Sequence, residues 1–279
     1  MNSLRLAMGI LTLLAAGHAA ALLAADTFLG PDGRPLPFAD EEEVLEALRT
    51  GRIISKEKVS EGINRVLKLL LDKDGVRFHA VFRDVKVFKP RHQQSDGRVI
   101  IHFRDDHIFE VAAYRLSRLL DMRHVPPVVE RRIDGRQGTL QLWIEEAVME
   151  GTRYDRRMRP RDYRNWREQW NALYIFDYLI GNDDRNQGNL LYDPGWKMWM
   201  IDHTRAFRLL SAPRRMERIR LCPTYLYEAL QRLEEERLKE ALEGLLQPIE
   251  VEAIARRRLE MLAYLRDLID RKGAEIALR

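Results

Sequence analysis

Three oxygen-bearing side chains in the second half of the chain have the types and spacing needed to move a phosphoryl group. Asp184 lies in the run Leu179-Ile-Gly-Asn-Asp-Asp-Arg-Asn-Gln-Gly-Asn-Leu190, and Asn189 follows it by five residues. Asp202 stands in Trp199-Met-Ile-Asp-His-Thr204. Phosphoryl transfer needs one group to orient the attacking hydroxyl and oxygen ligands for the divalent cation that bridges the phosphates. Asp184 suits the first task, and Asn189 and Asp202 suit the second. Asp183 is a competing base, but only Asp184 precedes Asn189 by that five-residue interval. Asn and Asp are also ordinary turn residues, so Asn182, Asp183 and Asp184 alone would read as a capped turn. The whole constellation favours chemistry, because apolar flanks pin both loops and Asp202 falls at a strand end.

The elements that must hold these groups change character along the chain. Asp40 to Leu48 reads as a short amphipathic helix with Val44, Leu45 and Leu48 on one side. Ile53–Val59, Val66–Leu71 and Val76–Phe82 are β-prone runs, broken at Glu61-Gly62-Ile63-Asn64 and at the turn Asp72-Lys73-Asp74-Gly75. A strand over Val85–Phe88 leads into a polar loop with Pro90, Gln93, Ser95 and Gly97, then to Val99–Phe103. Asp105 or Asp106 is expected to cap a helix reaching about Asp121. Val125-Pro-Pro-Val-Val is extended, and two strands surround the Asp134-Gly135 turn, the second ending at Leu140–Ile144. From about residue 150 the pattern is helical. Pro160 opens a helix to about Ile180, closed by Gly181 and Asn182. A short hairpin follows (Leu190–Tyr192 and Trp196–Ile201), then two helices over roughly 223–245 and 248–272. The class is α+β, with a strand-rich lobe over 26–148, a mainly helical lobe over 149–279 and a cleft between them.

Composition excludes several alternatives. The 279 residues are 46% apolar and 32% charged, which supports a sizeable core and rules out a disordered or collagen-like chain. Forty-seven basic against 43 acidic residues leave a formal charge of +4, too mild to argue for nucleic acid. The lone Cys222 excludes an intrachain disulfide and a cysteine metal site. Residues 1–25 stand apart: Arg5, an apolar run from Leu6 to Ala16, then small residues with no acid. This reads as a secretory signal cleaved after Ala21 or Ala25, placing the body outside the cytoplasm. The rival is an uncleaved anchor over Leu6–Ala25, with membrane contact confined to that segment.

The interval from Asp184 to Asn189 matches the catalytic-loop spacing of protein kinases, with Asp202 in the place of their metal-holding aspartate. Leu179-Ile-Gly-Asn-Asp-Asp-Arg-Asn186 resembles the catalytic loop of atypical kinases with a phosphoinositide-kinase-like fold. The closer resemblance is to secretory-pathway kinases of the Golgi casein kinase and xylosylkinase type and to their bacterial relatives. The run Phe109-Glu-Val-Ala-Ala-Tyr-Arg-Leu-Ser-Arg-Leu-Leu-Asp-Met-Arg-His-Val-Pro-Pro-Val-Val-Glu-Arg131 is similar to the same group. Met200-Ile-Asp-His-Thr-Arg-Ala-Phe-Arg208 is especially similar to the bacterial members. The resemblance spans about residues 52–210. It implies a bilobal kinase-like fold, ATP, a divalent ion (Mg²⁺ or Mn²⁺), and Glu110 as the small-lobe glutamate that pairs with a phosphate-binding cation. Two departures stand out. Asn186 replaces the usual histidine after Asp-Arg, and Asn189 stands where secretory members often carry Glu.

Two residues compete for the cation. Val87-Phe88-Lys89-Pro90 is similar to the family's strand-end motif, while Ala80-Val81-Phe82-Arg83 lies in a better strand. A lysine at Glu110 favours an active enzyme. An arginine, whose fork is not interchangeable with an ammonium, favours a weak or inactive one. Gly62 lies where a phosphate loop belongs, though a lone glycine is more often a turn. Gln141-Leu-Trp-Ile-Glu145 would be the hinge that contacts adenine through backbone groups, and a plain core strand accounts for its apolar content equally well. Arginines gather between Gly151 and Arg167, and again at Arg205, Arg208, Arg214, Arg215, Arg218 and Arg220. Both clusters read first as solvated faces, the second being the better candidate for an acidic substrate. His102, His107 and His203 read as solvated or capping residues, not a zinc set.

The sequence therefore points to an ATP- and metal-dependent phosphotransferase acting on a hydroxyl of a protein, glycan or lipid. Nucleotidyl transfer would use the same parts. A pseudokinase that binds nucleotide without turnover is the alternative. Nucleic acid is not an expected partner, because acids at the cleft repel phosphates unless metal is present.

Overall fold

The computed structural model describes residues 27–59, 66–93, 97, 99–209 and 216–279. The leader at 1–25, Gly62, and Arg214 and Arg215 lie outside the described residues. Asp40 caps the first helix, α1 (Glu41–Thr50), by accepting the Glu43 N–H at 3.0 Å, and α1 buries Val44, Leu45, Ala47 and Leu48. β1 (Arg52–Lys58) pairs with β2 (Leu67–Lys73), which turns into β3 (Val76–Arg83). Asp74 and Gly75 hold φ of 51° and 87° between the paired Lys73 and Val76, the left-handed pair that a two-residue hairpin turn requires. Asp134 and Gly135 (φ 50° and 77°) do the same between β6 (Val128–Ile133) and β7 (Arg136–Leu142). The five antiparallel strands lie in the order β1-β2-β3-β7-β6.

β4 (Lys86–Gln93) leaves this sheet and pairs with β5 (Val99–Asp106) as a separate two-stranded ribbon. The strand expected to end at Phe88 continues through Pro90, which was expected in a loop. A ribbon with free outer edges tolerates a residue that cannot donate to a ladder. The ribbon runs into α2 (Ile108–Leu119), which is buried over most of its circumference, including Phe109, Glu110, Val111, Ala112, Ala113 and Leu116. The expected aspartate cap is corrected: His107 is the capping residue and makes no side-chain cap bond. Asp106 Oδ1 still accepts the Ile108 N–H at 3.2 Å, while Asp105 is drawn to the cleft.

The second lobe begins at β8 (Val148–Met149) and α3 (Glu150–Asp155), so the expected boundary after residue 148 falls inside β8. α4 (Tyr163–Leu179) starts three residues after the proline that was expected to open it. Asp162 caps it through the N–H groups of Arg164 and Asn165. β9 (Leu190–Tyr192) and β10 (Met198–Met200) complete a small sheet with β8. The helix expected over 223–245 is two helices, α5 (Thr224–Arg232) and α6 (Glu235–Leu242). Leu233 and Glu234 are extended between them, and the change of direction lets Leu230, Leu233, Leu238 and Leu242 all reach the core. α7 (Pro248–Lys272) begins with a reciprocal Gln247–Glu250 capping box and Pro248 at its first turn, and α8 (Ala274–Ala277) follows. One contiguous apolar core runs from Phe78 and Phe82 through Leu116 to Phe176, Trp199 and Leu262. It fixes the two lobes against a cleft between them.

Candidate functional site

The loop after α4 is built by its own polar side chains. Gly181 turns the chain at φ 59°, against the guanidinium of Arg257. Asn182 donates to Asp177 Oδ1 at 3.1 Å and accepts the Asp184 N–H at 3.0 Å. Asn186 accepts the Gly188 N–H at 2.8 Å, and Asn189 Nδ2 donates to the Asp184 carbonyl at 3.2 Å. The turn-forming chemistry of these residues is thus present, and it holds Asp184 and Asn189 together.

Arg185, to which the sequence reading assigned no role, is the anchor of this loop. Its guanidinium is buried and donates to the Asp177 carboxylate at 2.9 Å, the Asn189 carbonyl at 2.9 Å and the Ile201 carbonyl at 2.8 Å. The Ile201 N–H also donates to the Asn189 carbonyl at 3.2 Å. Helix α4, the Asp184 loop and the stretch carrying Asp202 are therefore tied at one point. The signal in the sequence was a charged residue set between an apolar helix end and an apolar strand. Asp177→Ala leaves this arginine without its carboxylate and is expected to cost about 3–5 kcal/mol of unfolding free energy. A denaturant titration checks this, and an unchanged midpoint would contradict the anchor.

Asp202 takes φ 60°, a conformation that aspartate tolerates better than most residues. Thr204 Oγ1 donates to its Oδ1 at 3.3 Å. The next residue joins the lobes: His203 donates its N–H to Glu110 Oε1 at 3.1 Å, and its Nδ1 lies 3.0 Å from Glu110 Oε2. His203 is wholly buried, correcting the expectation of a solvated or capping histidine. Burial alone would raise the Glu110 carboxyl, but the His203 hydrogen bonds and the charge of Arg83 outweigh it and hold it below the usual range. Arg83 Nη1 stands 4.0 Å from Glu110 Oε1. Lys89, on the exposed ribbon, instead has its Nζ 3.5 Å from His92 Nδ1. Both cations line the cleft, but Arg83 is the one beside Glu110.

The cleft is a cavity of about 890 Å³. Its lining combines charged and polar side chains (Arg83, Asp84, Asn189, Asp202, Arg205 and Arg208) with the apolar Val81, Leu142, Ile144 and Leu191. Asp184 lies beside it, with its carboxylate 3.6 Å from Arg205. Arg205 also donates to Asp105 Oδ2 at 2.8 Å, spanning from the ribbon to the loop. Asp183 is more enclosed and pairs with buried Arg208 at 3.5 Å, which leaves Asp184 the more open of the two carboxylates. Partial burial raises the Asp184 carboxyl above its usual value. Arg205 and Arg208 oppose the shift, while Asp202 and Asp105 add to it. In the first arginine cluster, Arg153 pairs with Glu150 and lies over the Trp166 ring, and Arg164 pairs with Glu168.

Asn189 and Asp202 both line the cavity and offer hard oxygen donors, which suits Mg²⁺ or Mn²⁺. The Asn189 amide nitrogen is engaged by Asp184, so the amide oxygen is the atom left for a cation. Among the described residues no three His, Cys, Asp or Glu side chains form a metal cage. A two-residue donor set fits a cation that completes its shell with phosphate and water.

Residues 38–150 match the family model described as Golgi casein kinase, C-terminal, Fam20. No curated protein matches in sequence. Among solved structures, the fold is similar to hydra Fam20 with sugar, at 18% identity and a TM-score of 0.61, covering 85% of this chain and 91% of that one. It is also similar to a Golgi casein kinase, at 16% identity and a TM-score of 0.58, covering 85% and 78% of the two chains. The same kinase with Mn/ADP bound gives 16% identity and a TM-score of 0.59 with the same coverage.

Proposed function

We propose that this chain, which has the bilobal fold of the Fam20-like atypical kinases, transfers the γ-phosphoryl group of ATP to a hydroxyl acceptor with the help of a divalent cation. The observation that carries the proposal is the convergence of Asn189, Asp202 and Arg83 on one cavity with Asp184 at its edge. In this reading Asp184 accepts the proton of the acceptor hydroxyl. The freed oxygen bonds to the γ-phosphorus, and the bond to the β–γ bridging oxygen breaks to release ADP. Asn189 and Asp202 would hold the divalent cation, which would neutralise charge at the phosphates. Arg83, positioned by Glu110, meets the phosphates from the first lobe. Mn²⁺ and ADP in a structurally similar kinase support this assignment of nucleotide and metal. The acceptor is a hydroxyl of a protein, glycan or lipid, and Arg205 and Arg208 at the cleft favour an acidic one. Residues 1–25 would deliver the body outside the cytoplasm or, if retained, anchor it to a membrane.

One observation favours the second reading, a nucleotide-binding module without turnover: the cation beside Glu110 is an arginine. Arginine keeps the charge but not the compact ammonium, so phosphate binding survives where alignment for transfer can be lost. Both readings require nucleotide binding. Thermal unfolding of the full chain is expected to shift upward with Mn²⁺ and ATP together and not with either alone. No shift would overturn both.

A further inference from the structure

We infer that Gln141 reads the nucleotide base and makes the cleft prefer adenine over purines with an oxygen at position 6. This rests on the ATP-binding reading above and specifies how this chain would recognise the base. Gln141 is only 3% exposed, lines the cavity, and has a buried Nε2 with no hydrogen-bond partner. An unpartnered buried amide is costly in a native structure, so it is better explained by a bound partner than by packing.

Its place in the sheet indicates which partner. In the β3–β7 pair Gln141 faces Val81, and the next same-face pair is Arg83 with Thr139. Val81, Arg83 and Gln141 all line the cavity. The amide thus lies on the wall that carries the cation, one same-face step from it towards the cavity-lining segment Leu142, Trp143 and Ile144. Those neighbours are apolar and suit a flat ring. In such a pocket a single polar group fixes ring orientation.

The chemistry of the amide then selects the ring. A glutamine presents one acceptor oxygen and two donor hydrogens. The edge of adenine formed by its 6-amino group and N7 presents a donor beside an acceptor, and glutamine can meet both at once. A 6-oxo purine presents two acceptors there, so the amide oxygen faces another oxygen. A matched bidentate pair of this kind discriminates by about tenfold or more.

The test measures binding of ATP, inosine triphosphate and 7-deaza-ATP to the full chain with Mn²⁺, for the wild type, Gln141→Met and Gln141→Asn. The wild type is expected to bind ATP about tenfold more tightly than inosine triphosphate, and more tightly than 7-deaza-ATP, which lacks the N7 acceptor. Gln141→Met, of similar volume, should bind all three alike. Should that variant not fold, Gln141→Asn, which retracts the amide by one methylene, should also lose the preference. Equal binding of the three by the wild type, or a preference kept in a folded variant, overturns the inference and leaves the ATP reading standing. A wild type that binds none of them overturns the ATP reading itself.

Discussion

Asp202→Ala is expected to abolish the joint stabilisation by Mn²⁺ and ATP. For the wild type, ligand at a hundred times its dissociation constant adds about 2.7 kcal/mol to the unfolding free energy, readily seen as a rise in melting temperature. The whole increment should vanish in the variant. Asn189 alone supplies one neutral oxygen, too little to hold the divalent cation through which the triphosphate would be bound. The variant should still fold. The Asp202 side chain accepts a bond from Thr204, but the neighbouring His203–Glu110 link and the Arg185 anchor do not pass through it. A variant that keeps the full metal-dependent shift would remove Asp202 from the site.

The second large effect separates enzyme from binding module. Asp184→Asn keeps the shape of the loop, because the bonds that hold it use the backbone of residue 184: its N–H to Asn182 and its carbonyl from Asn189. Nucleotide binding is therefore expected to survive while turnover falls by about 10²–10⁴, the usual contribution of a positioned base. The base works only when ionised, and partial burial raises its pKa. The wild-type rate should accordingly fall as pH drops through that raised value, and the acid limb should be missing from the residual rate of the variant. ADP release and acceptor labelling across pH provide the measurement. Equal rates for the two proteins would move the base elsewhere, with Asp183 next in line. No turnover by the wild type, alongside intact binding, would establish the module that Arg83 favours.

The parts of the fold that were legible in advance are those that local chemistry decides. Asp74-Gly75 and Asp134-Gly135 make the hairpins that their left-handed preference predicts. The loop at 179–190 could be singled out because its members are close in the chain and bond to one another. The fold is that of the atypical kinases expected from the resemblance. The matched family segment, 38–150, stops before the 179–190 loop, so for that loop the supporting comparison is one of fold alone.

What could not be read from the linear order depends on partners remote in it. Arg83 and Lys89 are equally plausible as a cation near a strand end. The choice falls to Arg83 because β3 stays in the central sheet, while β4 departs into a ribbon and takes Lys89 with it. His203 reads as solvated until Glu110, 93 residues away, closes over it. Arg185 reads as a loop charge until Asp177 and the Ile201 carbonyl enclose it. By itself the sequence determined the hairpin turns and singled out a loop whose side chains have the types that phosphoryl transfer needs, since those are properties of neighbouring residues. Only the tertiary structure decided which cation meets Glu110, which polar groups are buried and which amide is left without a partner. Burial and long-range pairing are set by the whole packed chain, and no short window contains them.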